Sequence, residues 1–149
     1  MHFTALLTAL IVATSGLVIA NPTPAPNDDP SYLISVEKFN HWLATTDADI
    51  TFIGKPINPL TPRAALDIMV TYCTARSADV CGGSCIVYNG GPACLAAPGT
   101  NCLAATANVG FCDRENCGNS CNSLDSCGTP LTNGFCFTPG TQGINVPAA

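Results

Sequence analysis

Ten cysteines carry most of the chemistry this 149-residue chain could do, and all of them lie between Cys73 and Cys136. Two pentapeptides share the pattern C-G-x-S-C: CGGSC at Cys81–Cys85 and CGNSC at Cys117–Cys121. A zinc site would favour C-x2-C spacing and reduced thiols. Here the spacing is C-x3-C, and His2 and His41 are the only histidines. A thioredoxin-like redox pair needs C-x-x-C at the start of a helix in a βαβ unit, and neither feature is present. An even cysteine count in a short chain with an apolar leader reads instead as five disulfides, formed by Cys73, Cys81, Cys85, Cys94, Cys102, Cys112, Cys117, Cys121, Cys127 and Cys136.

The remaining candidates for chemistry are sparse. A Ser-His-acid triad could draw on His41 with Ser84 or Ser120, but no Gly-x-Ser-x-Gly elbow is present. Asp113 and Glu115 in CDRENC, and Asp47 and Asp49, are paired carboxylates of the kind a hydrolase needs. Each pair is more simply a solvated turn, and a stapled domain of this size rarely builds the deep cleft that glycoside hydrolysis requires. A recognition surface is the stronger functional reading. Tyr88, Asn89 and Phe137 lie among uncharged turns, where a ring supplies contact area and an amide supplies hydrogen bonds. Phe111 and Phe135, each preceding a cysteine, read as core. No motif calls for a metal or another cofactor. The reading is therefore a secreted, non-enzymatic binding protein, with a carbohydrate-binding or cell-wall structural protein as the alternative and a small carboxylate-based hydrolase ranked behind both.

The elements that must position these residues fall into three parts. Residues 1–20 are apolar and uncharged from Phe3 to Ala20, the pattern of a secretory signal peptide. Residues 21–30, NPTPAPNDDP, form a Pro-rich leader, and residues 31–149 a single disulfide-rich domain. That organisation places the protein outside the cell, with no membrane span in the mature chain. The formal net charge of −5 disfavours nucleic acid and anionic membranes, so the expected partner is an extracellular protein or a glycan.

Within the domain, the N-terminal part reads as α+β. SVEKFNHWLATT spaces Val36, Phe39, Trp42 and Leu43 along one helical face with Ser35 as N-cap. DITFIGKPI alternates as a strand, with Ile50 and Phe52 on one face and Thr51 and Ile53 on the other. TPRAALDIMVTYC predicts a short helical turn and then a strand ending at Cys73, with one helix through Tyr72 as the alternative. The C-terminal part reads as short strands and tight turns, with Asn-Gly hairpin signals at Asn89 and Asn133. It also carries an internal repeat, 81–112 and 117–136, whose copies both close in Gly-Phe-Cys. The expected fold class is thus a small disulfide-rich protein, mostly β and turn after its α+β start, built from two related cysteine-stapled units. If each unit pairs internally and alike, two connectivities stay open, and Cys73 and Cys94 are left to pair with each other. Bonding within C-G-x-S-C would close a very short loop and is disfavoured.

The segments VTYC, VCGGSCIVYNGG and NCLAATANVGFCDRENCGNSCNSLDSCGTPLTNGFCFTPGT together resemble the cysteine-rich small secreted proteins of mushroom-forming basidiomycete fungi. The resemblance runs from about Ile50 onward and rests on cysteine spacing with VYNGG and NGFCFTPGT. It implies a secreted, effector-like or wall-associated fungal protein and supplies no catalytic residues. Hevein-type chitin modules are a weaker likeness, because they use an adjacent Cys-Cys that this chain lacks.

Overall fold

The computed structural model describes residues 33–57, 67–118 and 120–148. The expected signal peptide and leader, and the turn expected at TPRAAL, lie outside those residues. A helix, α1, spans Val36–Thr45. Ser35 stands extended before it, and its hydroxyl accepts from the Lys38 N–H at 3.2 Å, which satisfies one of the orphan donors of the first turn. The helix stops at Thr46, whose N–H still reaches the Trp42 carbonyl. Its apolar face buries Phe39 and Trp42, and the Trp42 ring lies 5.1 Å from that of Phe135.

Seven strands follow among the described residues: β1 (Asp49–Gly54), β2 (Ile68–Ser77), β3 (Val80–Gly90), β4 (Ala93–Ala105), β5 (Gly110–Cys112), β6 (Cys121–Ser123) and β7 (Cys136–Val146). They form one sheet in the order β1-β3-β2-β4-β7-β5-β6. Among the described strands, only the β1–β3 pairing is parallel. β2 lies inside the sheet, and its residues Ile68 to Cys73 are all buried. Side chains alternate along a strand, so β2 feeds two cores. Ile68, Val70 and Tyr72 pack with Leu95, Leu103, Leu124, Ile144 and Val146 on one face. Met69 and Cys73 pack with Val87, Cys102 and the α1 residues Phe39 and Trp42 on the other. Each fully buried aliphatic side chain contributes about 1.5–3 kcal/mol.

The strand expected to end at Cys73 runs on to Ser77, so the all-helical alternative through Tyr72 does not occur. The C-terminal strands are longer than the short segments expected, at 11, 13 and 11 residues for β3, β4 and β7. The Asn89 signal marks no hairpin. Asn89 lies within β3, and the chain leaves Gly90 to enter β4, which pairs with β2 and not with β3. The β2–β3 hairpin instead turns at Ala78, with φ 53°. Asn133 behaves as expected, with Asn133 and Gly134 both at positive φ in a turn between Leu131 and Phe135.

All ten cysteines are bridged: Cys73–Cys85, Cys81–Cys102, Cys94–Cys117, Cys112–Cys121 and Cys127–Cys136. This corrects the expected pairing. Cys73 and Cys94 bond to different partners, two bridges cross between the 81–112 and 117–136 units, and the two internal bridges are not equivalent. Neither C-G-x-S-C closes on itself. The physical reason is register. Cys73 sits directly opposite Cys85 on the β2–β3 ladder, and Cys112 opposite Cys121 on β5–β6, with Cα separations of 4.1 and 4.0 Å. Sheet pairing brings these thiols together, and sequence similarity between the units does not.

Candidate functional site

Two surface concavities contain some of the polar side chains singled out above, His41 in one and Asp113 and Ser120 in the other. The first is an open cleft of about 490 Å³ between α1 and the Thr132–Gly134 turn, lined by Glu37, Lys38, His41, Asn133 and Gly134. Successive turns of α1 place Glu37 and His41 on one side of it, as i, i+4 spacing requires. Neither Ser84 nor Ser120 lines this cleft, so His41 meets neither expected triad serine there.

The second is smaller, about 210 Å³, and is framed by bridges. Phe111, Cys112, Asp113, Ser120, Asn122, Pro139, Gly140 and Thr141 line it. Phe111 and Asn122 face each other across the β5–β6 ladder, so the ring and the amide lie side by side on one surface. The chain between the two strands is drawn in three times, by the Cys112–Cys121 and Cys94–Cys117 bridges and by the Asp113 N–H donating to the Ser120 carbonyl at 3.1 Å. The far wall is the bend of β7 at Pro139–Gly140, where Gly140 takes φ 81° and the β4–β7 register shifts between the Ala96 and Thr100 pairs. Thr141 is buried there and donates to the Thr138 carbonyl at 2.7 Å.

Below the same loop, Gly143 pairs with both Ala96 and Cys112. A methyl group at position 143 would collide with the Arg114 carbonyl oxygen, so glycine lets the 113–117 segment lie directly on β7. A polar network behind β6 fixes its other end: the Asn108 side chain donates to Ser123 Oγ at 2.8 Å and to Asp125 Oδ2 at 2.9 Å.

The recognition residues expected from sequence are not brought together. Tyr88 lies against the Leu103–Ile144 core, and its hydroxyl donates to the Gly91 carbonyl at 2.8 Å. Asn89 is buried, 3% exposed, and its side chain donates from Nδ2 to the Lys55 carbonyl while its main-chain carbonyl accepts from the Lys55 N–H. It thus pins the end of β1. Phe137 packs on the opposite face of the sheet, with the Arg76 guanidinium 4.2 Å from its ring centroid. Phe135 is core, as expected, whereas its counterpart Phe111 is half-buried and opens on the smaller cleft. Asp113 lines that cleft and Glu115 does not. Asn122 and Thr141 carry no sequence signal of their own and join the site only through strand pairing. Among the described residues, no group of three or more His, Cys, Asp or Glu side chains is placed to hold a metal ion. No helix among them is long and apolar enough to cross a membrane.

No family model, curated protein or solved structure matches this chain.

Proposed function

We propose that this is a secreted protein that acts outside the cell by binding, an effector-like protein of the kind its cysteine spacing resembles in basidiomycete fungi, and that it catalyses no reaction. The observation that carries the reading is the bridging of all ten cysteines. Five disulfides persist in an oxidising compartment and would be reduced in a cytosol. Two of them, Cys112–Cys121 and Cys94–Cys117, brace the Phe111 cleft, so its walls are preorganised at little entropic cost to binding.

The carbohydrate-binding reading is favoured by one feature of that cleft. A half-buried ring sits beside an amide, a carboxylate and a hydroxyl, the combination that suits a sugar's apolar face and its equatorial hydroxyls. The secreted protein is tested for retention on insoluble chitin and β-glucan and for binding to extracellular proteins. Binding to either partner, weakened roughly tenfold or more by Phe111→Ala with the bridges intact, supports the cleft as the site. Release of soluble sugar that disappears in Asp113→Asn would replace binding with hydrolysis.

A further inference from the structure

The two ends of the sheet are unlike each other. Among the described residues, β6 is three residues long, whereas β1 is a six-residue outer strand with no second neighbour. An outer strand normally carries a lysine, a proline or a bulge that discourages further pairing. β1 reads DITFIG and has none within it, and its pairing with β3 is unbroken from Asp49 to Gly54. Phe52 is 58% exposed and Ile53 38%, two of the three large hydrophobic residues exposed among the described residues.

The backbone of β1 has a definite polarity. The Lys55 N–H donates to the Asn89 carbonyl, and Gly54 is the residue in register with Asn89. Amides alternate along a strand, so Thr51 and Ile53 direct theirs toward β3. Ile50, Phe52 and Gly54 therefore direct theirs away from the sheet.

The geometry points to a second copy of this chain as the occupant of that edge, joined antiparallel about a twofold axis at Phe52. Outward residues must meet outward residues, which admits only registers in which even positions face even positions. With Phe52 opposite Phe52, Ile50 meets Gly54, Thr51 meets Ile53, and Asp49 of each copy meets Lys55 of the other. Charges of opposite sign thus close both ends of the junction, and the exposed Phe52 rings cover each other. Lys55 has room for this role: its side chain is 60% exposed while its ammonium holds Asp67 at 2.6 Å. An isologous contact of this kind closes on itself as a dimer and does not extend into a fibre. Seven residues on each side make a small interface, so the association is weak.

The test uses the mature secreted protein in sedimentation velocity and amide hydrogen exchange. The expected result is a dimer that forms at roughly 10–100 µM. Its formation should protect the Ile50, Phe52 and Gly54 amides and leave Thr51 and Ile53, already bonded to β3, unchanged. Phe52→Lys places two like charges on the axis and should give a monomer with an unchanged melting temperature. Asp49→Lys should weaken the dimer by roughly tenfold, since it turns two attractive contacts into repulsive ones. A wild-type monomer at about 1 mM overturns the proposal. So does a dimer that survives Phe52→Lys, or one whose new protection lies elsewhere. A monomer whose Ile50 and Phe52 amides become protected only by an added extended peptide of alternating Thr and Val would assign the edge to a foreign strand instead.

Discussion

Two bridges enclose loops of nearly equal length and should nevertheless differ widely in what their loss costs. Cys81–Cys102 spans 21 positions and Cys94–Cys117 spans 23. Loop-closure entropy alone assigns them about 3.3 and 3.4 kcal/mol. Their surroundings are opposite. Cys81 and Cys102 are 4% and 0% exposed, inside the core shared with Met69, Val87 and α1. Cys94 is exposed and Cys117 half-buried. Replacing a pair by two serines therefore adds a further penalty only at the first site, where two hydroxyls are enclosed among apolar side chains at about 1–3 kcal/mol each. Cys94→Ser/Cys117→Ser should lose about 3–4 kcal/mol and stay folded. Cys81→Ser/Cys102→Ser should lose about 5–9 kcal/mol, which reaches the whole stability of an ordinary domain. Guanidinium unfolding under non-reducing conditions, followed by circular dichroism, reads both values. Equal losses within about 1 kcal/mol, or a larger loss at Cys94–Cys117, would refute the assignment of these bridges to core and surface.

Gly143→Ala should destabilise by about 1–3 kcal/mol through overpacking against the Arg114 carbonyl, and should raise hydrogen exchange in the 113–117 segment before the rest of the sheet. Asn89→Ala should cost about 0.5–1.5 kcal/mol and loosen the Lys55 end of β1, read as faster exchange of the Lys55 amide. Burial raises the Tyr72 pKa above its ordinary value of 10.0, because desolvation penalises the phenolate. The unfolded tyrosine ionises first, so this stabilisation is complete below about pH 10 and is lost as pH rises through the folded value. Melting temperature should fall above about pH 10 in the wild type, and Tyr72→Phe should flatten that fall.

The parts of the fold legible in the sequence are those governed by local periodicity. Ser35 with Phe39 and Trp42 announces α1, and the alternation of Ile50 to Ile53 announces β1, because each pattern depends only on near neighbours. The disulfide pairing was not legible, because it depends on register between distant segments. Cys73 meets Cys85 only because β2 and β3 turn at Ala78, a residue type with no turn preference. Asn89-Gly90 carried the stronger hairpin signal, yet its amide serves to hold Lys55 instead. The cleft was half legible. Asp113 stood out beside Cys112, whereas Phe111 read as core, and Asn122 and Thr141 reach the cleft through the β5–β6 ladder and the bend at Gly140, which no local pattern encodes.

The central claim is a stapled sheet in which strand register chooses the bridges. Peptide mapping of the non-reduced secreted protein by mass spectrometry tests it most directly. The account predicts no free thiol and five linked pairs: Cys73–Cys85, Cys81–Cys102, Cys94–Cys117, Cys112–Cys121 and Cys127–Cys136. Free thiols, or a Cys73–Cys94 link with matched pairs inside 81–112 and 117–136, would contradict it.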